Sequence, residues 1–225
     1  MKKIIRLAVA MVIAAICFSS CHVQSTVKQS KKESVVVVDL GLPSGTLWAD
    51  RNVGADNPED AGDYFAWGET TTKSTYSWSN YKHGNDGDSV VAKKYNKSDR
   101  RTTLERIDDV AYQQWGSDWC LPTQAQIEEL GDECTWTWTT RNGKNGYEVK
   151  SKRNGNSIFL PATGYKGSDG TTSSLGSYGY YWSSSLGAGY PDDARGLNFG
   201  SNYVDAGYVG GRSYGQSVRP VRCRN

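Results

Sequence analysis

Histidine, methionine and proline are scarce in this chain of 225 residues, at two, two and six. Beyond the N-terminal stretch the only histidine is His83, in Lys82-His83-Gly84-Asn85-Asp86-Gly87-Asp88, so neither a histidine-based triad nor a zinc cluster is legible. Asn85, Asp86 and Asp88 offer oxygens to Ca²⁺, but the stretch lacks the spacing and terminal glutamate of an EF-hand loop, and a solvated turn is the better reading. No cofactor is expected. Charge of one sign is missing too: 26 Lys and Arg face 24 Asp and Glu, which removes the general electrostatic reason to bind nucleic acid. Strand–helix alternation is absent, as is any repeat of about 20 to 50 residues, so a parallel α/β sheet, a solenoid and a propeller are excluded. Aromatics and glycine are plentiful, with 25 Gly, 14 Tyr and 8 Trp, which describes a loop-rich fold with an aromatic core. A chain of this size buries roughly 70% of its unfolded surface and needs no cross-link merely to fold.

Residues 1–20 read as a secretory signal. Lys2, Lys3 and Arg6 precede an apolar run over residues 7–16, which covers about half of a ~30 Å hydrocarbon core. Removing those three cations from the formal +2 leaves −1. Phe18-Ser19-Ser20-Cys21 resembles the lipobox of bacterial lipoproteins, with Phe18 departing from the usual leucine, and implies that Cys21 is acylated and anchored in outer-membrane lipid. The alternative is soluble secretion. Residues 21–35 are polar and without periodicity, as a flexible tether would be, and 36–225 form the domain. The tether is basic until Glu33, which leaves the periplasmic and cell-surface faces both open.

Cys120, Cys134 and Cys223 then enter an oxidising compartment and allow one bridge. A helix between Cys120 and Cys134, with Thr123 as N-cap, Gln126 in its capping box and Gly131 as its stop, would hold those two beyond bridging distance. Cys134–Cys223 is the favoured pair, with Cys120–Cys223 as the alternative and three free thiols as the third reading.

The β-branched run 35–40, the turn 41–45 and residues 46–49 predict strand, turn and strand. Leu104, Ile107, Val110 or Ala111, and Trp115 at helical spacing before Gly116 predict an amphipathic helix over 104–115. From Thr135 the pattern turns to alternating Trp and Thr, two Asn-Gly turns and the apolar 158–161, which is hairpin chemistry. Residues from Gly164 onward hold 13 of the 25 glycines and end in a short strand at 217–222. Strands at both ends with two helices between them predict an α+β domain with a twisted, mainly antiparallel sheet and long loops.

Several stretches together resemble a known family: Val38-Asp39-Leu40-Gly41-Leu42-Pro43-Ser44-Gly45-Thr46-Leu47-Trp48, Gly62-Asp63-Tyr64-Phe65-Ala66-Trp67-Gly68-Glu69, Trp119-Cys120-Leu121-Pro122-Thr123, Tyr181-Trp182-Ser183-Ser184 and Ser217-Val218-Arg219-Pro220-Val221. They are similar to the Fibrobacter succinogenes major paralogous domain. That family resembles the C-type lectin-like fold, in the branch of sulfatase-modifying, formylglycine-generating enzymes. The resemblance implies terminal strands that pair, two helices on a twisted sheet and a long loop region as ligand surface. Those enzymes use paired cysteines in their C-terminal half, whereas this chain has none between Cys134 and Cys223, so an enzyme is not expected.

The candidate ligand-binding residues are Tyr180, Tyr181, Tyr190, Asp192, Asp193, Arg195, Asn198, Asn202, Tyr203, Asp205, Tyr208, Arg212 and Tyr214, set among glycines and serines. Such a composition matches antibody-like paratopes: tyrosine gives rigid area with a polar tip, and Ser and Asn give adaptable hydrogen bonds. It points to a glycan or a protein partner. Trp182 and Phe199 are assigned to the core, Arg219 to the fold. The segment also looks like the C-terminal regions of lectin-fold proteins diversified by retroelements. The alternatives are a sulfatase-modifying-factor-like enzyme with altered chemistry and a structural envelope protein.

Overall fold

The computed structural model describes residues 35–84, 92–187, 189 and 192–223. In chain order the elements are β1 (Val37–Asp39), β2 (Leu47–Ala49), α1 (Val110–Trp115), β3 (Trp119–Cys120), α2 (Gln124–Glu133), β4 (Cys134–Arg141), β5 (Lys144–Ser151) and β6 (Ser157–Pro161). They continue with β7 (Tyr165–Lys166), β8 (Thr172–Ser173), β9 (Tyr178–Leu186), β10 (Asp193–Gly200), β11 (Tyr203–Asp205), β12 (Val209–Gly211) and β13 (Val221–Arg222). The result is a mixed α+β fold with two helices and mostly antiparallel sheets. No helix among the described residues is long and apolar enough to cross a membrane. The signal, the tether up to residue 34, Cys21, Tyr190 and the Ca²⁺ candidates Asn85, Asp86 and Asp88 lie outside the described residues.

The first sheet has the order β1-β2-β13-β3, so both ends of the domain meet in it. The predicted strand, turn and strand are present, with Gly41 and Gly45 at φ of 62° and 69° making the reversal. β4, β5 and β6 form the expected meander, in register from Cys134↔Ser151 to Arg141↔Lys144. β10 lies centrally in a third sheet, with β9 along one edge and β11 and β12 sharing the other.

α2 starts where expected, because the Thr123 hydroxyl accepts from the Gln126 amide and Gln126 reaches back to the Thr123 amide. It does not stop at Gly131. A Cβ there would sit 3.3 Å from that of Ala206, so the glycine is a close-packing point and the helix runs on. The helix expected over 104–115 is shorter than its periodicity predicts. Leu104 donates to the Ser184 carbonyl at 2.9 Å, which holds it against β9, and Asp109 caps α1 by accepting from the amides of Ala111 and Tyr112. Between them residues 106–108 make one 3-10 turn that leaves Ile107 63% exposed.

The favoured Cys134–Cys223 bridge is corrected: Cys120 and Cys223 are joined, with Cα atoms 5.3 Å apart. The β3–β13 register pairs Cys120 with Val221 and Trp119 with Arg222, which brings Cys223 alongside. Cys134 sits beyond α2 at the head of β4, buried and free, and burial pushes its thiol up to about 11.

One apolar cluster joins Leu40, Trp48, Leu130, Val149, Leu160 and Phe199, and a second joins Phe65, Trp67, Tyr95, Val110, Trp182 and Val218. Trp182 and Phe199 are thus core residues, as expected. Buried Arg219 donates to Asn52 Oδ1 at 2.8 Å and to the Phe159 carbonyl at 2.9 Å, tying the terminal segment to two others.

Candidate functional site

Strand alternation sorts the predicted residues into two faces. On β9, Tyr180 stands opposite Asn198 of β10, which stands opposite Asp205 of β11. One pair further along, Tyr178, Gly200 and Tyr203 form a parallel row. The glycine in that row is required by the approach of the two rings: a Cβ at Gly200 would lie 2.9 Å from the Tyr203 ring and 3.0 Å from the Tyr178 ring. Gly210 serves Tyr208 in the same way, since a Cβ there would meet the tyrosine hydroxyl at 2.2 Å. At Gly200 and Gly210 the glycine is therefore steric: tyrosine side chains occupy the space that a Cβ would fill.

Two further segments complete the site. A parallel bridge between Gly164 and Gly179 sets β7 beside β9, and an antiparallel bridge between Lys166 and Gly215 sets it beside the chain after β12. Tyr165 consequently meets Tyr180 edge-on at 5.1 Å and Tyr214 at 5.6 Å, while Tyr180 meets Tyr208 at 5.6 Å. Tyr165, Tyr180, Asn198, Tyr208, Tyr214 and Gln216 line a cleft of about 240 Å³. Four of these were predicted. Tyr165 and Gln216 were missed, because each enters through a pairing of distant segments; Gln216 is placed by its own antiparallel bridge to Phe65 and carries no local signal.

Burial raises the Tyr180 and Tyr208 hydroxyls above the ordinary tyrosine range, so both stay neutral and serve as donors and acceptors. Tyr203 donates to Asn198 Oδ1 at 2.6 Å, and Asn198 Nδ2 donates to the Gly179 carbonyl at 3.1 Å. Gln216 Nε2 donates to the Tyr208 hydroxyl at 3.4 Å.

The other predicted residues divide. Tyr203 and Tyr214 are exposed, and Asn202 and Asp205 are exposed beside them. Asp192, Asp193 and Arg195 are half-buried near the far end of β10, with the Asp193 carboxyl raised by burial and then by the charge of Asp192. Tyr181 and Arg212 are corrected, because both face inward. Tyr181 is 2% exposed, stacks on Phe199 and donates to the Pro161 carbonyl at 2.6 Å. Arg212 is fully buried over the rings of Trp67, Tyr81 and Tyr95, and donates to the Tyr81 hydroxyl and the carbonyls of Tyr95 and Lys94.

A larger hollow of about 620 Å³ lies beside the disulfide. Its acids are committed to the fold. Asp109 accepts from three backbone amides, those of Ala111, Tyr112 and Leu121, and Glu129 accepts from the Ser44 amide at 2.6 Å and from the Ser44 hydroxyl. Among the described residues no group of three or more His, Cys, Asp and Glu is arranged to hold a metal ion. The tyrosine cleft therefore carries the stronger functional geometry: rings for stacking, with neutral amides and hydroxyls between them. No family model matches the chain, and neither a curated protein nor a solved structure does.

Proposed function

We propose that this chain is a lipid-anchored cell-envelope recognition module that presents its tyrosine cleft to a glycan or protein ligand. The observation that carries the reading is the convergence of Tyr165, Tyr180, Tyr208 and Tyr214 on one cleft with Asn198 and Gln216. Rigid rings supply contact area at small entropic cost, and amides orient the partner. The motif order quoted above supports membership of the major paralogous domain family. Terminal strands meeting in one sheet, and a loop-rich third sheet bearing the cleft, support the C-type lectin-like fold that the family implies. The non-catalytic reading rests on the cleft's side chains, which include hydroxyls and amides but no base paired with a nucleophile.

Anchorage is part of the proposal. Cys21→Ser is expected to move the protein from the outer-membrane fraction to the soluble one. Recognition is tested by exposing the full chain, in detergent, to immobilised glycan and protein libraries. Saturable binding that Tyr208→Ala and Tyr203→Ala each weaken by about tenfold, with the circular-dichroism spectrum unchanged, is the expected result. Folded protein that binds nothing in either library would turn the reading toward a structural envelope role.

A further inference from the structure

The binding face does not end at the cleft. Tyr178 lies two residues before Tyr180 on β9, so their side chains share a face about 7 Å apart. Tyr178 also lines a second hollow of about 410 Å³ with Trp138, Asn145, Ser177 and Asn202. The Tyr178–Tyr203 pair, its ring centres 6.3 Å apart, links the two hollows: Tyr203 holds Asn198 of the first, and Tyr178 walls the second. Each hollow thus pairs aromatic rings with amides or hydroxyls.

Among the described residues neither lining contains Lys, Arg, Asp, Glu or His, whereas the hollow beside the disulfide includes Arg106, Asp109, Glu129 and Arg222. A carboxylate or sulfate entering the tyrosine face would lose its hydration without gaining a counter-charge. Gln216 lines the first hollow with its amide held beside Tyr208, Nε2 donating to that hydroxyl at 3.4 Å.

We infer that the two hollows are adjoining subsites of one site for an uncharged oligosaccharide, an inference that rests on the recognition reading above. Sugar rings offer apolar C–H faces to the tyrosine and tryptophan rings and neutral hydroxyls to Asn145, Asn198, Asn202 and Gln216. Repetition of the same pairing in two hollows fits a ligand built of repeating units.

The experiment is calorimetric titration of the full chain in detergent with glucose-, mannose- and xylose-based ligands, each as monosaccharide and hexasaccharide. Galacturonate oligomers and heparin fragments are titrated alongside. One neutral hexasaccharide is expected to bind about tenfold or more tighter than its monosaccharide, with affinity unchanged by added salt. Tyr208→Ala lowers both affinities by about tenfold, as loss of a ring contact should. Tyr178→Ala and Asn202→Ala, at exposed positions that leave the fold intact, remove only the advantage of the hexasaccharide. Equal effects of Tyr178→Ala on both lengths would overturn the second subsite, and salt-sensitive binding of only the charged ligands would overturn the choice of a neutral sugar. A protein ligand captured through Tyr208, with no sugar bound, would overturn the inference and leave the recognition reading standing; absence of both kinds of ligand would remove the two together.

Discussion

Tyrosines of the core and tyrosines of the cleft carry the same side chain into different hydrogen bonds. In the core the hydroxyls of Tyr64, Tyr76, Tyr81 and Tyr181 donate to the main-chain carbonyls of Thr163, Tyr64, Trp67 and Pro161, at 2.5 to 2.6 Å. At the cleft Tyr208, and at its rim Tyr203, meet the side-chain amides of Gln216 and Asn198. A carbonyl is held by the backbone that carries it, whereas an amide side chain can exchange one partner for another at small cost. The core uses tyrosine to tie segments together, and the cleft keeps tyrosine available to something outside.

The largest expected effect lies on the core side of that contrast. Arg212→Met strips the donor from two buried acceptors and one part-buried one and is expected to cost about 3–5 kcal/mol in urea unfolding, since each neutral acceptor left unsatisfied in the interior costs about 1–3 kcal/mol. A loss below about 1 kcal/mol would mean that Arg212 belongs with the surface residues after all.

Next comes the bridge. Cys223→Ser opens a loop of sequence separation 103 and is expected to cost about 2–5 kcal/mol, while Cys134→Ala leaves the Cys120–Cys223 peptide intact in a non-reducing mass map. Detection of a Cys134–Cys223 peptide would reverse the correction made above.

Two adjacent acids make the contrast electrostatic. Burial, working against three amide donors, pushes Asp109 up to about 6 from its ordinary 3.8. Its folded state binds the proton more tightly, so its stabilisation is full below about pH 4 and is lost as pH rises through 6. Burial also works upward on Asp108, but the donors Lys82, Lys94 and Tyr95 outweigh it and hold the carboxyl at about 2. That contribution is present above about pH 4 and is lost as pH falls toward 2. Asp109→Asn is therefore expected to remove a decline in stability between about pH 4 and 6, worth on the order of 3 kcal/mol, read as the difference between variant and wild type. A difference between variant and wild type that stays constant from pH 4 to 6 would refute the assignment.

The smallest effects lie in the cleft and sharpen the comparison there. Gly210→Ala must displace the Tyr208 ring, for about 1–3 kcal/mol of stability together with loss of binding. Tyr214→Ala, at a residue 43% exposed, should change stability by no more than about 0.5 kcal/mol while weakening the ligand. A stability loss of core size at Tyr214 would place it with the structural tyrosines.

Much of the fold was readable because its signals are local. The Thr123 cap, the Gly41 and Gly45 reversal and the Trp/Thr alternation of β4 each act within a few residues, and each appears where expected. The α1 prediction overran at its N-terminal end because Leu104 is taken by a strand from another part of the chain, which no periodicity encodes. Within the site, Tyr180, Asn198, Tyr208 and Tyr214 were legible from composition, while Tyr181 and Arg212 had the same composition and the opposite fate.

By itself the sequence determined the α+β class, the hairpins, the cap of α2 and the tyrosine-rich nature of the last third, since propensity, turn chemistry and alternation are properties of neighbouring residues. Only the tertiary structure decided which tyrosines face out, which cysteine Cys223 joins, and that Tyr165 and Gln216 enter the cleft. Those outcomes depend on the register between strands far apart in the chain, and a shift of one residue in that register turns every side chain to the other face.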